Sequence, residues 1–289
     1  MAIDAQRLLD LKLPDHACSW TQEHCQIYAL ATGFGQDPVD DRDLAFVVEG
    51  PDFRVSPTAA ITLYYDDTWM RESGVDLAMS LHGEQKNIFH RPIPPSGRGK
   101  VTSRITGVHD KGPGRGLLVV CEQVLTDADT GEALATNIIT NFARADGGGG
   151  SSAGTLSSPH ALPDRPADIV VDQITRPEQA LIYRLTGDRN PLHATPATAR
   201  EAGFHQPILH GMCTYGFAAR AILGSVCEFD PTRLKSMGAR ISAPVFPGDA
   251  LRTEIWRDGD VVSFRTIAPN RDDLVVLNNG RAELASIQG

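Results

Sequence analysis

Two short motifs recur in this chain in the same order and at nearly the same spacing. Gln26-Ile27-Tyr28-Ala29-Leu30 is echoed 155 residues later by Leu181-Ile182-Tyr183-Arg184-Leu185. The run PIPPSG at 92–97 is echoed 152 residues later by PVFPGD at 244–249. Each Pro-rich run leads into strand-like alternation, at 100–105 and at 251–256. A chain that repeats itself at one offset is built from two copies of one unit. Composition marks the seam. Residues 146–158 read DGGGGSSAGTLSS, and prolines follow at 159, 163 and 166. Gly and Ser give a flexible coil and prolines stiffen its exit. Residues 146–167 therefore read as a linker between a half at 1–145 and a half at 168–289.

Within each half, helical segments come first and strands follow. In the second half, residues 196–201 start a short helix. Residues 211–226 (GMCTYGFAARAILGSV) are apolar and rich in small side chains, long enough for a buried helix. Strand candidates follow at 239–244, 250–256, 261–268 and 274–277. The first half offers strands at 117–124 and 133–143. This order predicts an α+β fold with an antiparallel sheet rather than alternating βαβ units. A helix that is apolar all round must be wrapped, and a curved sheet can wrap it.

The partner classes are narrowed by charge and hydropathy. The formal net charge is −9, so a phosphate backbone is an unsuitable partner and no nucleic-acid role is expected. With 41 % hydrophobic and 22 % charged residues, the chain has the makings of a packed core rather than of disorder. No apolar run approaches the ~18 residues a membrane span needs. Residues 1–13 carry acidic groups and no signal core, and the chain ends Ser286-Ile287-Gln288-Gly289, which is no peroxisomal signal. The five cysteines, at 18, 25, 121, 213 and 227, show no C-x-x-C spacing. A reduced, cytoplasmic setting is expected.

The chemistry concentrates in Tyr183-Arg184-Leu185-Thr186-Gly187-Asp188-Arg189-Asn190-Pro191-Leu192-His193. Gly-Asp and Asn-Pro are turn dipeptides, so this is a loop leaving an ordered apolar segment. Within six residues it carries a carboxylate (Asp188), an amide (Asn190) and an imidazole (His193). Such a pair can grip one water from two sides, one group taking a proton and the other giving one. The same turn is also a good generic one, with Asp and Asn bonding their own backbone. No Ser or Cys nucleophile lies in the loop, which favours water chemistry over a covalent intermediate. Further on, Pro207-Ile208-Leu209-His210-Gly211-Met212-Cys213 leads into the buried helix. Gly211 would stand at its N-terminus, where free N–H groups can stabilise an oxyanion. His210 and Cys213 read as plain core residues.

These two motifs together resemble the signature of the R-specific (type 2) enoyl-CoA hydratases, the MaoC-like dehydratases, in their two-half form. Phe46-Val47-Val48-Glu49-Gly50, Leu81-His82-Gly83-Glu84-Gln85, Asp110-Lys111-Gly112 and Ala243-Pro244-Val245-Phe246-Pro247-Gly248 also resemble that family's landmarks, so the likeness covers nearly the whole chain. The resemblance implies a double hotdog, each half a sheet around a central helix. It implies reversible hydration of a trans-2-enoyl-CoA to the (3R)-3-hydroxyacyl-CoA, without metal or redox cofactor. Asp188 and His193 would hold and activate the water, Asn190 the geometry, and Gly211 N–H the thioester oxygen. It implies acyl-CoA contacts from His82, Gly83, Lys111, Arg189, Pro191, Leu192 and Ile241, and a homodimer. Glu49 matches a sensitive acidic position and Tyr183 opens the motif; either reads as structural or functional.

The sequence departs from the pattern at 141–150, where a Gly-Gly-Phe-Gly-Gly-like run is common, and after His193, where x-Asp-Pro is replaced by Ala194-Thr195-Pro196. The first half has Gly33-Phe34-Gly35-Gln36-Asp37-Pro38 at the place of the catalytic loop and no His there. One active site per chain is expected, with the first half accommodating the acyl group. Two other readings use the same fold: a non-catalytic acyl-CoA binder, for which an acid–base pair has no use, and a thioesterase, whose water would attack the carbonyl and release CoA.

Overall fold

The computed structural model describes residues 3–64 and 67–286. Among them, the strands are β1 (His16–Trp20), β2 (Ser80–Phe89), β3 (Gly97–Asp110), β4 (Leu117–Asp127), β5 (Ala133–Ala143), the two-residue β6 (Ala153–Gly154), β7 (Ile169–Ile174), β8 (Leu234–Ile241), β9 (Ala250–Asp258), β10 (Val261–Ala268) and β11 (Leu274–Leu284). They form one antiparallel sheet in the order β1-β3-β4-β5-β2-β8-β11-β10-β9-β7, with β6 added on β3. Read outward from its centre, the order is the same both ways: β2-β5-β4-β3-β1 and β8-β11-β10-β9-β7. The sequence repeat is thus a repeat of topology. The copies meet where β2 pairs with β8, with Lys86 opposite Gly238 at the middle of the shared ladder.

The helices are α1 (Ala5–Leu9), α2 (Gln22–Ala31), α3 (Asp41–Leu44), α4 (Thr68–Ser73), α5 (Gln179–Tyr183), α6 (Pro196–Glu201) and α7 (Gly211–Val226). None is long and apolar enough to cross a membrane. The echoed motifs occupy matching places: α2 follows β1, and α5 follows β7. Along α7, Cys213, Tyr215, Phe217, Ala218, Ala219 and Ile222 are fully buried. Each removes apolar surface from water, worth about 1.5–3 kcal/mol for a large side chain.

In one respect the halves differ from expectation. Where the second half has α7, the described residues of the first have the 3-10 turns Pro57–Ile61 and Leu77–Met79 and the short α4. Gly74 at φ +79° closes α4. Consequently α7 serves both halves. Phe217 and Cys213 share one core with Trp20, Tyr28, Val101 and Leu125 of the first half and with Tyr183 and Leu251 of the second. In addition, β8 begins at Leu234, ahead of the expected 239.

The linker is laid against the protein rather than left as a loose coil. Gly147, Gly148, Gly150 and Gly154 all have positive φ, which lets the backbone follow the end of β3. A Cβ on Gly154 would stand 2.2 Å from the carbonyl oxygen of Thr106. Farther on, the indole of Trp256 donates to the carbonyl of Arg165 at 2.7 Å, and Asn279 donates to that of His160 at 2.8 Å.

Candidate active site

The loop after α5 organises itself through its own polar side chains. The Thr186 hydroxyl donates to Tyr183 O at 2.8 Å, and Gly187 at φ +130° turns the chain. The Asp188 carboxylate accepts the N–H of Asn190 at 3.0 Å, and Asn190 Oδ1 accepts that of Leu192 at 3.0 Å. These are successive Asx turns. They deliver the chain into the short turn Pro191–His193, so Asn190 sets the spacing between acid and imidazole.

His193 is buried, and its Nδ1 lies 2.9 Å from the carbonyl of Ile208. A carbonyl only accepts, so Nδ1 carries the proton and Nε2 keeps its lone pair. Burial lowers the pKa of His193, while the Ile208 carbonyl and the Asp188 charge act the other way. The imidazole is neutral at neutral pH.

His210, expected as a core residue, belongs to this site. Its ring stacks on that of His193 with centroids 3.7 Å apart and planes 28° apart. Its Nε2 donates to Asp188 O at 3.2 Å. Burial first, then the neighbouring His193, pushes its pKa down to about 3. The His210 ring thus backs that of His193 and ties Asp188 to the entry of α7. The available signal was its place: it immediately precedes the glycine that opens the helix. Tyr183 stands behind it at 4.8 Å and faces Tyr28 at 6.2 Å. Cys213 is a core residue, its Sγ 3.1 Å from Ala31 O.

Gly211 is the first residue of α7, and no side chain caps that end. Its N–H is part of the partial positive end of a sixteen-residue helix dipole. Ile241, the last residue of β8, covers it: a Cβ on Gly211 would lie 2.8 Å from Ile241 Cδ1. Gly83 sits in the irregularity of β2 between His82 and Glu84, next to the end of the β2–β8 ladder at Glu84↔Arg240. His82 pairs across with Asn141. Its Nε2 is shielded from water, and burial pushes its pKa down to about 4. Lys111 lies in the β3–β4 hairpin with Nζ 4.8 Å from the ring of Phe142, whose Cβ a side chain on Gly83 would touch. Lys111, Phe142 and Gly83 thus form one strip, and Ile241 lies against Gly211 at the entry of α7. On the acid–base loop itself Arg189 and Pro191 are exposed, and Leu192 is half-buried.

Glu49 stands apart from this strip. It is exposed, and its carboxylate accepts from Gln26 on α2 at 3.0 Å, the bond that chiefly lowers its pKa. Asp188, His193 and His210 present donor atoms within 4.8 Å of one another, a spacing also compatible with a cation. A surface depression lined by Arg54, Glu228, Asp230 and Arg233 lies at the other end of α7 and holds none of these residues.

Comparison with known proteins agrees with this geometry. Residues 159–278 match the MaoC like domain, and residues 18–145 match the MFE-2 hydratase 2 N-terminal domain. Enoyl-CoA hydratase ChsH3 of Mycobacterium tuberculosis is 36 % identical over 284 residues, covering 96 % of this chain and 98 % of that protein. Enoyl-CoA hydratase 2, peroxisomal, of Arabidopsis thaliana is also 36 % identical, covering 93 % of this chain and 92 % of its own. Among solved structures, the MaoC-like dehydratase from Phytophthora capsici superposes with a TM-score of 0.86 at 30 % identity, covering 97 % of this chain and 98 % of its own.

Proposed function

The chain belongs to the R-specific (type 2) enoyl-CoA hydratases, the MaoC-like double-hotdog dehydratases, and from that premise we propose how its residues divide the work. The enzyme is a hydro-lyase that interconverts a trans-2-enoyl-CoA and a 3-hydroxyacyl-CoA. In our reading the Asp188 carboxylate and Nε2 of His193 hold one water between them. Nε2 removes a proton as the water oxygen bonds the β-carbon. The alkene electron pair moves toward the thioester, and the N–H of Gly211 holds the oxygen that gains enolate charge. The imidazolium then returns the proton to the α-carbon, and the product is the (3R)-alcohol. No electrons leave the substrate, so the reading calls on no cofactor.

Asn190 keeps the acid and the imidazole in register, and His210 keeps His193 in place. Lys111 meets a CoA phosphate as a point charge, while His82, Gly83, Arg189, Pro191, Leu192 and Ile241 line the thioester arm. A second copy of the chain is part of this reading. Leu30, Ile174, Leu181 and Leu185 expose apolar side chains on neighbouring elements, and a second copy could cover them. Five free thiols suit the reducing cytoplasm.

The observation that carries the reading is the tautomer of His193, fixed by Ile208 so that the lone pair points away from the backbone. The test is loss of enoyl-thioester absorbance with crotonyl-CoA and a longer trans-2-enoyl-CoA. Wild type removes the band, yields the R-alcohol without free thiol, and is indifferent to chelator. Asp188→Asn loses on the order of 10²–10⁴ in rate while still folding. Release of free CoA, or a chelator-dependent rate, would sink the assignment.

A further inference from the structure

The four-glycine run at 147–150 is left unused by this mechanism, and it has a definite place. Its backbone folds over the tip of the β3–β4 hairpin and is tied there by one side chain. The Asp110 carboxylate accepts the N–H of Gly148 at 2.8 Å, of Gly150 at 2.7 Å, and of Gly112 inside the hairpin at 2.8 Å. The N–H of Asp110 donates to Ser152 Oγ at 2.9 Å. At its first two positions the fit leaves no room for a side chain. A Cβ on Gly147 would stand 2.7 Å from Gly116 O, and one on Gly148 3.0 Å from Pro113 Cα. A glycine-rich strap of this kind resembles a phosphate cradle, but its N–H groups are occupied by the protein's own carboxylate.

Lys111 is the next residue. Its N–H donates to Gly116 O at 3.1 Å, and its ammonium rests over Phe142. The ring can lie there because Gly116 has no side chain: a Cβ would stand 2.4 Å from it. The strap, the hairpin and the Phe142 ring therefore fix both ends of one lysine. Asp110 spends its charge on backbone donors, which leaves the Lys111 charge uncancelled.

We propose that Asp110 is a positioning residue for coenzyme A. It clamps the 147–150 strap onto the hairpin and thereby holds the Lys111 ammonium where a CoA phosphate arrives. This rests on the reading of Lys111 given above.

The experiment is Michaelis kinetics with crotonyl-CoA and with crotonyl-pantetheine, which keeps the thioester and lacks the nucleotide phosphates. Asp110→Ala raises KM for crotonyl-CoA on the order of tenfold. It leaves kcat, and KM for crotonyl-pantetheine, near wild type. Lys111→Met likewise raises KM for crotonyl-CoA. Asp110→Asn, which keeps an oxygen acceptor for Gly112 and Gly148, falls between wild type and Ala. An equal rise in both KM values, a fall in kcat with both substrates, or no change in either overturns the proposal. An unchanged KM in Lys111→Met removes the lysine reading and this proposal with it, while hydration by that variant still stands as measured. If Asp110→Ala does not fold, the ratio of the two KM values in Asp110→Asn decides alone.

Discussion

Burial favours the neutral form of His193. A histidine whose charged form is disfavoured stays neutral to lower pH, so its lone pair remains available there. The acid limb of kcat/KM is therefore expected below the ordinary imidazole value of about 6.5. The Asp188 charge raises the pKa of His193. Removing it in Asp188→Asn shifts the limb of the residual activity lower still. A pH profile of both enzymes checks this, and a wild-type limb at or above the ordinary value would contradict it. Asp188, Asn190 and His193 were legible because their relation is local, built from turns that span two or three residues. His210 was not. Its role depends on a stacking contact with a residue seventeen positions earlier, and a buried His before a helix reads equally well as core.

At the scale of elements, α7 shows how much an apolar pattern conveys. A sixteen-residue helix without a polar face had to be enclosed, and eleven of its residues are buried and none is exposed. That the described residues of the first half hold no matching helix was less visible, because duplication of strands says little about the segment between them. The small residues of α7 have separate duties that the pattern alone does not distinguish. At Gly216 a Cβ would stand 2.2 Å from Thr32 Cγ2, on the turn that ends α2. At Gly211 it would meet only the tip of Ile241. Gly216→Ala is thus expected to push α7 from α2 and to cost about 1–3 kcal/mol, as overpacked cores do. Gly211→Ala should keep most of its stability and lose turnover, since Ile241 and the helix N-terminus shift together. Adding Thr32→Ser to Gly216→Ala removes the nearest methyl and returns part of the loss. Denaturant midpoints and kcat for the four proteins test this. A Gly216→Ala midpoint equal to that of wild type would show that the two helices have slack between them.

Across the whole molecule, two halves that repeat in topology are held as one by contacts that do not repeat. Arg220 on α7 makes a two-pronged ion pair with Asp43 of α3, at 3.0 and 2.8 Å. The Asp43 side chain is 1 % exposed and that of Arg220 15 %. Asp43 also accepts the N–H of Gly35 at 2.9 Å, and the guanidinium lies 5.8 Å from the Phe34 ring. Gln173 of β7, with its amide turned to suit both neighbours, accepts from Arg220 and donates to Phe217 O. Loop, central helix and edge strand from both halves thus converge on one cation. Nothing in the sequence pairs residues 43 and 220, because charges so far apart in the chain carry no periodic signal. Burying this pair is not strongly stabilising in itself, since desolvation offsets most of the attraction. Breaking it is another matter. Asp43→Ala strands a guanidinium in the core and should cost about 3–5 kcal/mol. The double variant Asp43→Leu with Arg220→Met strands no charge and should recover much of that loss. The surface pair Glu84–Arg240 at the β2–β8 seam gives the contrast: Arg240→Ala there should cost under about 1 kcal/mol. Because α7 packs against both halves, each variant is expected to unfold in a single transition. A midpoint for Asp43→Ala no lower than that for Arg240→Ala would mean that the halves are joined by the strand seam and not by the buried pair.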